Sequence, residues 1–499
     1  MNTENINTKL SAQGYSLKKS ELNNVILEQI KKDLTVKPKT FNAGYADTKH
    51  DEFEVFSEND SKIYLPKFYG ITKYGLPKVN TIADPEGNNL KFSVDMRPQQ
   101  KPIIEAYMNN ISLDNGGGGI ICAGCGVGKT VISLYISTLL KVKTLVIVHK
   151  EFLMNQWIER IKEFIPEARI GIIQGDKYKV EDKDIVIGML QSVSKRKYPS
   201  ETFSKFGFVI YDECHHLGAK VFSKALKKTN FKFTLGLSAT PERNDGLTKV
   251  FLWNLGNIVY QETKKKTDNV IVHYYNYYNN DQEYSKEVRN FKKQLMNPVI
   301  INNIANCKDR NDFIISLLTP LIQEGRNVLI LTERIAQVNY FYQTVQEMGI
   351  ASIGKYIGKM KQQDLDLSLE CRILVGTYNM IEEGFDCKTL DTLIMATPKV
   401  NIEQSVGRIL RKQASERTVI PLIIDVCDQF CNFGRKGKQR ITYYNKHKYT
   451  VKKFDVDNNV NTVNKFKSNA KFKVTNSLSE KEKKLRDLEA LAPILKYDF

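Results

Sequence analysis

One stretch, Gly118 to Leu140, limits more than any other what this chain can fold into. A short apolar run, Ile120-Ile121-Cys122, reads as a buried strand. A tight turn follows in Gly124-Cys125-Gly126-Val127-Gly128, and Lys129-Thr130 then opens an apolar helix. Strand, glycine turn, Lys-Thr and helix in that order make a phosphate cradle. The glycines let backbone N–H groups point inward at an anion, and the helix N-terminus adds a favourable partial charge. Lys129 is then expected to reach the β and γ phosphates of a nucleotide, and the Thr130 hydroxyl to hold Mg2+. The strict pattern has glycine five places before Gly128; this chain has Ala123, which is small enough to keep the turn. The plain alternative is a glycine turn that only joins a strand to a helix.

At 499 residues the chain is too long for one compact core, and two to four domains are expected. Lys and Arg number 74 against 56 for Asp and Glu, a formal net charge of +18. A chain so basic is expected to meet a polyanion; a surface charged only for solubility is the alternative. The N-terminal residues lack the apolar core of a signal peptide, so an intracellular, non-secreted protein is expected. No apolar run is long enough to span a membrane. The eight cysteines do not form a disulfide framework. Cys122 and Cys125 lie inside the cradle, where a metal would compete with the nucleotide, and Cys427 and Cys431 lack a second pair.

Along the chain, residues 1–90 read as a polar arm of about forty residues and then a small accessory domain containing β structure around Lys62 to Gly70. Residues 91–262 alternate apolar runs with helical patterns, the signature of a parallel α/β sheet. Strands are expected at 144–148, 184–188, 208–211 and 233–237, with an amphipathic helix over 151–164. Residues 263–300 read as a connector with a helix over 283–296. A second α/β series fills 301–430, with strands at 326–331, 371–375, 392–395 and 421–425 and a helix over 335–348. It has no cradle of its own, so two sheets are expected to share one nucleotide site across a cleft. Residues 431–499 carry 17 Lys/Arg against 7 Asp/Glu, interleaved with Tyr443, Tyr444, Tyr449, Phe466 and Phe472. That composition suits backbone contact and base stacking, or else a solvated basic extension. A short charged helix is expected over 479–493.

Hydrolysing a nucleotide such as ATP needs a metal ion, an oriented water and cations on the transferring phosphoryl group. Asp212, at a strand end, is placed to hold Mg2+, and Glu213 beside it to orient or deprotonate the water. His215 would couple that site to Ser238-Ala239-Thr240, whose hydroxyls suit a relay. In the second half, Gln404-Ser405-Val406-Gly407-Arg408-Ile409-Leu410-Arg411 sets Arg408 and Arg411 on one helical face, ready to reach the γ-phosphate. Gly376-Thr377 and Glu383-Gly384-Phe385-Asp386 flank a loop open to a nucleic-acid phosphate, with Asp386 in reach of the ribose. Gln100, just upstream of the cradle, suits either the adenine edge or a helix cap.

AGCGVGKT, DECH, SAT, GTYNMIEEGFD and QSVGRILR, in that order over about 90–430, resemble superfamily 2 helicases and translocases. The Gln156-Trp157 helix and the SATPERNDGL run are similar to the group containing XPB, phage UvsW and the poxvirus transcript-release helicase. Arg243 and Asp245 match that group's short charged motif in part, Asn244 breaking it. The resemblance implies an α/β fold of two RecA-like parallel-sheet domains in tandem, with a small N-terminal accessory domain and a basic C-terminal extension. It carries over Lys129, Thr130, Asp212, Glu213, Gln404, Arg408 and Arg411 as the ATPase set. His149, Lys150, Ser192, Thr332 and Thr377 are carried over as the nucleic-acid track. The expectation is a monomeric, ATP- and Mg2+-dependent motor on double-stranded DNA, serving transcription or repair. An RNA helicase is the runner-up, and an ATP-gated nucleic-acid-binding subunit without strand separation is the reading of another class. The group's viral members imply a viral factory or virion if the source is a large DNA virus.

Overall fold

A computed structural model describes residues 6–38, 52–124, 126–214, 223–239, 246–262, 269–381, 385, 387–412 and 416–457. Cys125, His215, Thr240, Arg243, Asp245, Asp386, Phe466, Phe472 and the expected helix over 479–493 lie outside the described residues.

The first lobe is built on a sheet whose order runs Lys177–Lys179, Ile170–Gln174, Ile185–Met189, Thr144–Val148, Phe208–Tyr211, Phe233–Ser238, Gly116–Cys122, Ile258–Gln261. All pairings in it are parallel except that of the Lys177–Lys179 edge and the short strand Ile111–Ser112. The central strands are buried along their whole length, as in a sheet covered by helices on both faces. The strand leading into the cradle begins at Gly116, four residues before its first apolar side chain. Bare backbone is required there: a Cβ on Gly118 would lie 1.9 Å from Thr234 Oγ1, and one on Gly119 2.4 Å from Val259 Cγ1.

The second lobe has a wholly parallel sheet, ordered Ile353–Tyr356, Ile373–Thr377, Val328–Thr332, Thr392–Met395, Leu422–Asp428, Ile271–Tyr278, Thr450–Asp457. Two of these strands correct the sequence reading. Ile271–Tyr278 comes from the supposed connector and Thr450–Asp457 from the supposed basic extension, and they pair with each other. Tyr444 and Tyr449 are buried core residues, not stacking platforms. The expected helix over 283–296 does not form. Asn290 Oδ1 accepts the N–H groups of Lys292 and Gln294, a local turn that competes with the helix, and Lys293 takes a φ of +59°. The helix begins only at Asn297–Asn306, with proline in its first turn.

Buried ion pairs hold this lobe together. Arg310, 0 % exposed, donates to Asp428 Oδ1 at 2.6 Å and to the Ala396 carbonyl, and the Tyr284 hydroxyl donates to the same carboxylate at 2.7 Å. Three residues back on the same strand, Asp425 accepts from Arg440 at 2.7 and 2.8 Å and from the Tyr444 hydroxyl at 2.8 Å.

Residues 6–38 are not a polar arm. Thr8–Ser11 and Gly14–Lys18 form a hairpin, joined through Gly14 at a φ of +116°. They continue a sheet of Ser57–Glu58, Lys62–Leu65, Gly14–Lys18, Thr8–Ser11 and Val79–Asn80. Helix Asn24–Leu34, capped by the Asn23 side chain on Ile26 N–H, covers it. Gly70 admits the Tyr15 ring, which a Cβ there would meet at 2.2 Å. This domain is stitched to the first lobe by lysines reaching both ways. Lys67 donates to the carbonyls of Phe231 and Lys232 at 3.2 and 2.9 Å, and Lys227 to that of Phe56 at 2.7 Å. Tyr69 adds an edge contact with Trp253 at 5.5 Å.

Replacing Arg440 by Leu would strand the Asp425 charge, at a cost of about 3–5 kcal/mol; denaturant unfolding of the variant should show it. Lys67 gives a pH signature. Burial pushes its pKa down to about 7, whereas the unfolded chain keeps it near 10.5. Between those values the unfolded state binds the extra proton, so stability should rise with pH from about 7 to 10. In Lys67→Met that slope should flatten, as read by thermal unfolding across the interval.

Candidate active site

The polar groups of the first lobe gather at the carboxyl ends of its parallel strands, where such sheets bind ligands. The cradle leaves the strand Gly116–Cys122 beside Phe233–Ser238, and Ala123 N–H donates to the Ser238 carbonyl at 3.1 Å. Ser238 itself is fully buried. The helix Lys129–Leu140 starts directly after Gly128, which needs to be glycine twice over. Its φ is +89°, and a Cβ there would lie 2.5 Å from Gln100 Nε2. Lys129 folds back onto the cradle, its Nζ donating to the Ala123 carbonyl at 2.8 Å and lying 3.4 Å from that of Gly124. Thr130 follows, half-buried at the helix start.

Gln100 is 3 % exposed, and its amide is spent on protein groups. Oε1 accepts Arg97 N–H at 3.1 Å and Nε2 donates to the Val127 carbonyl of the cradle at 3.1 Å. In this structure it braces the cradle.

Asp212 follows the strand Phe208–Tyr211, and its N–H donates to the Ile147 carbonyl at 3.0 Å. Each carboxylate oxygen is held by one donor: Oδ2 by the Trp157 indole N–H and Oδ1 by Glu213 N–H, both at 3.0 Å. Burial raises the Asp212 pKa first and the Glu213 charge next, while the Trp157 bond, Lys129 and His149 pull it down. The Lys129 ammonium is therefore close enough to stabilise the Asp212 carboxylate. Glu213 carries a φ of +48°, a left-handed conformation costing on the order of 1–3 kcal/mol in a non-glycine residue. A desolvated carboxylate with a fixed orientation and a hydroxyl at the cradle helix are hard oxygen donors of the kind Mg2+ takes. Asp212 and Thr130 thus fit that ion.

The residues assigned to a nucleic-acid track are brought together in two groups, one of three and one of two. His149-Lys150 follows the strand Thr144–Val148, and Ser192 lies in the short helix after the adjacent Ile185–Met189. Gln191 Nε2 ties the two ends by donating to the His149 carbonyl at 2.9 Å, and Ser192 Oγ accepts Gly175 N–H at 2.9 Å. Thr332 and Thr377 are cross-strand partners at the ends of their strands. Thr332 is a correction: it is 0 % exposed, bonded through its hydroxyl to Gln337 and Arg334 N–H, and so shapes the turn from beneath. Lys150 Nζ crosses to the second lobe, donating to the Asn379 carbonyl at 3.0 Å.

Gln404 is half-buried in the helix Glu403–Gly407, which ends before both arginines. Arg408 and Arg411 therefore do not share a helical face. They share an acceptor: both guanidinium groups donate to the Phe385 carbonyl, at 2.8 and 2.7 Å. Arg408 is 3 % exposed and Arg411 half-buried.

Two participants escaped the sequence reading. Trp157 was visible only as part of a signature, though an indole N–H in an amphipathic helix facing a strand end is a donor in search of an acceptor. Glu262, whose Oε2 accepts Gly124 N–H at 2.7 Å, had no sequence signal. Trp157→Phe keeps a ring and deletes the donor to Asp212. The Mg2+ concentration giving half-maximal nucleotide hydrolysis should rise about tenfold, as outer-shell losses at metal ligands do, in a Mg2+ titration.

Residues 93–243 match the family described as type III restriction enzyme, res subunit. The chain is 36% identical over 461 residues to L396 of Acanthamoeba polyphaga mimivirus, covering 90% of this chain and 87% of that one. L396 is provisionally named an ATP-dependent RNA helicase. QP509L of African swine fever virus (isolate Pig/Kenya/KEN-50/1950), provisionally given the same name, is 28% identical over 352 residues, 65% of this chain and 68% of that one. Among solved structures, T4 UvsW matches over 90% of this chain and 99% of its own, at 18% identity and a TM-score of 0.37. With a cradle, an Asp-Glu strand end, a paired arginine element and a relative this similar over nearly its whole length, the chain belongs to the superfamily 2 helicases, ATP-dependent enzymes with relatives in large DNA viruses.

Proposed function

We propose that the protein is a nucleic-acid-stimulated ATPase that translocates on double-stranded DNA as a monomeric motor in viral transcription or repair. The observation that carries this reading is the Asp212 constellation. A carboxylate oriented by Trp157 and Glu213 N–H sits within electrostatic reach of the cradle lysine. Lys129 leaves its two carbonyl partners to bind the β and γ phosphates, and Thr130 and Asp212 would hold Mg2+. When bound, Mg2+ neutralises developing charge on the phosphoryl oxygens. Glu213 orients the attacking water and accepts its proton. Arg408 and Arg411 give the transferring group its cations from the second lobe, where such arginines are worth about 10³–10⁵ in rate. Ser238, with His215 and Thr240, relays the state of the nucleotide to His149, Lys150, Ser192 and Thr377 on the track.

The basic charge serves DNA and RNA alike. The choice of duplex DNA rests on the Gln156-Trp157 helix and the SATPERNDGL run, which are similar to those of the group containing XPB and UvsW. The names of L396 and QP509L favour a second reading, an RNA helicase. Phosphate release measured side by side with double-stranded DNA, single-stranded DNA and RNA separates the two. The expected outcome is strongest stimulation by duplex DNA, abolished in Lys129→Ala and reduced about a thousandfold or more in Arg411→Ala. Stimulation by RNA alone would select the second reading, and a wild-type rate in Lys129→Ala would end both.

A further inference from the structure

Glu262 closes the last strand of the first lobe. Its N–H donates to the Cys122 carbonyl at 2.8 Å, one step beyond the pairing of Gln261 with Cys122. Its side chain then reaches past the ladder: Oε2 accepts the Gly124 N–H at 2.7 Å, and a Cβ on Gly124 would lie 3.2 Å from that oxygen. Glu262 is exposed, with water as an alternative partner. A carboxylate on a backbone N–H is a charge-assisted bond, roughly twice as strong as a neutral one. The root of the phosphate loop is thus fixed at three points: Ala123 N–H by the Ser238 carbonyl, Gly124 N–H by Glu262, and the Ala123 carbonyl by Lys129. Phosphate draws Lys129 away, which leaves Ser238 and Glu262 as the standing anchors.

We propose that Glu262 is a positioning residue for the nucleotide site. Its carboxylate pins the root of the cradle, so that the N–H groups beyond Gly124 are presented to phosphate in a set geometry. It also ties that root to the point where the chain leaves the first lobe; the next described strand, Ile271–Tyr278, already belongs to the second. This inference rests on the ATP-site reading above. No motif of the family's ATPase set includes position 262, and nothing about the residue's own neighbours in sequence marks it.

The test is a titration of the full chain and its variants with a fluorescent ADP analogue and Mg2+, alongside thermal melts. Glu262→Ala should raise the dissociation constant about tenfold, the size expected for one charge-assisted bond. Glu262→Gln keeps an oxygen acceptor without the charge and should fall between Ala and the native residue. Lys129→Ala controls for the site itself: if it binds as tightly as the native protein, the ATP-site reading fails and Glu262 loses its role with it. If Lys129→Ala weakens binding while Glu262→Ala does not, the Glu262 proposal alone is overturned. It is overturned equally if Gln binds no better than Ala and both melt earlier by the same margin, the mark of a merely structural residue.

Discussion

The site depends on the backbone N–H groups at the start of one helix, which a parallel ladder holds in place. Six consecutive pairings join Gly117–Cys122 to Phe233–Ser238, and the next donor along, Ala123 N–H, closes on Ser238. Phe208–Tyr211 runs in register with the same Phe233–Ser238 strand. Asp212 and the cradle therefore emerge at one edge because their strands end there, before any side chain contributes. A slip of one residue in either pairing would turn every buried side chain of that strand to the other face. The apolar completeness of these strands is what protects the chemistry at their ends.

In the second lobe the constraint is electrostatic. Strand Leu422–Asp428 carries two carboxylates into the interior, Asp425 and Asp428, each met by an arginine and a tyrosine from outside the strand. Buried pairs of this kind add little net stability, because both charges are desolvated; what they impose is penalty on any arrangement that leaves one partner behind. Arg310 and Tyr284 come from before the strand in sequence, Arg440 and Tyr444 from after it. Both flanking pieces are thereby fixed to the centre of the same sheet, which explains how strands Ile271–Tyr278 and Thr450–Asp457 are held side by side.

The cradle, the Asp-Glu strand end and most central strands were legible because each is encoded by neighbours in sequence: an unbroken apolar run, then glycine or an acid. The helices Glu151–Phe164 and Ile335–Met348 were legible for the same reason, from their periodicity. Elements whose logic is tertiary were not. Ile271–Tyr278 is rich in Tyr and reads as polar, yet it is paired on both sides and buries Val272, Tyr274 and Tyr277. The segment Phe433–Lys446 reads as a basic extension because Arg440 declares a charge without declaring Asp425. The hairpin Thr8–Ser11/Gly14–Lys18 depends on Gly14 and on only three apolar residues, Leu10, Tyr15 and Leu17. At the site, Arg408 and Arg411 had the spacing of a helix, but the helix stops at Gly407 and a carbonyl of another segment unites them. Thr332 was carried over from the family resemblance, which says nothing of depth.

The lysine-to-carbonyl stitches between the N-terminal domain and the first lobe have a mechanical meaning. Lys67 and Lys227 reach in opposite directions across the same seam, so neither side can slide without breaking bonds on both. The N-terminal domain is therefore an outrigger of the first lobe, carried wherever that lobe goes. In the motor proposed above, where the stroke is a relative displacement of two lobes, this domain would travel with the first lobe as one body.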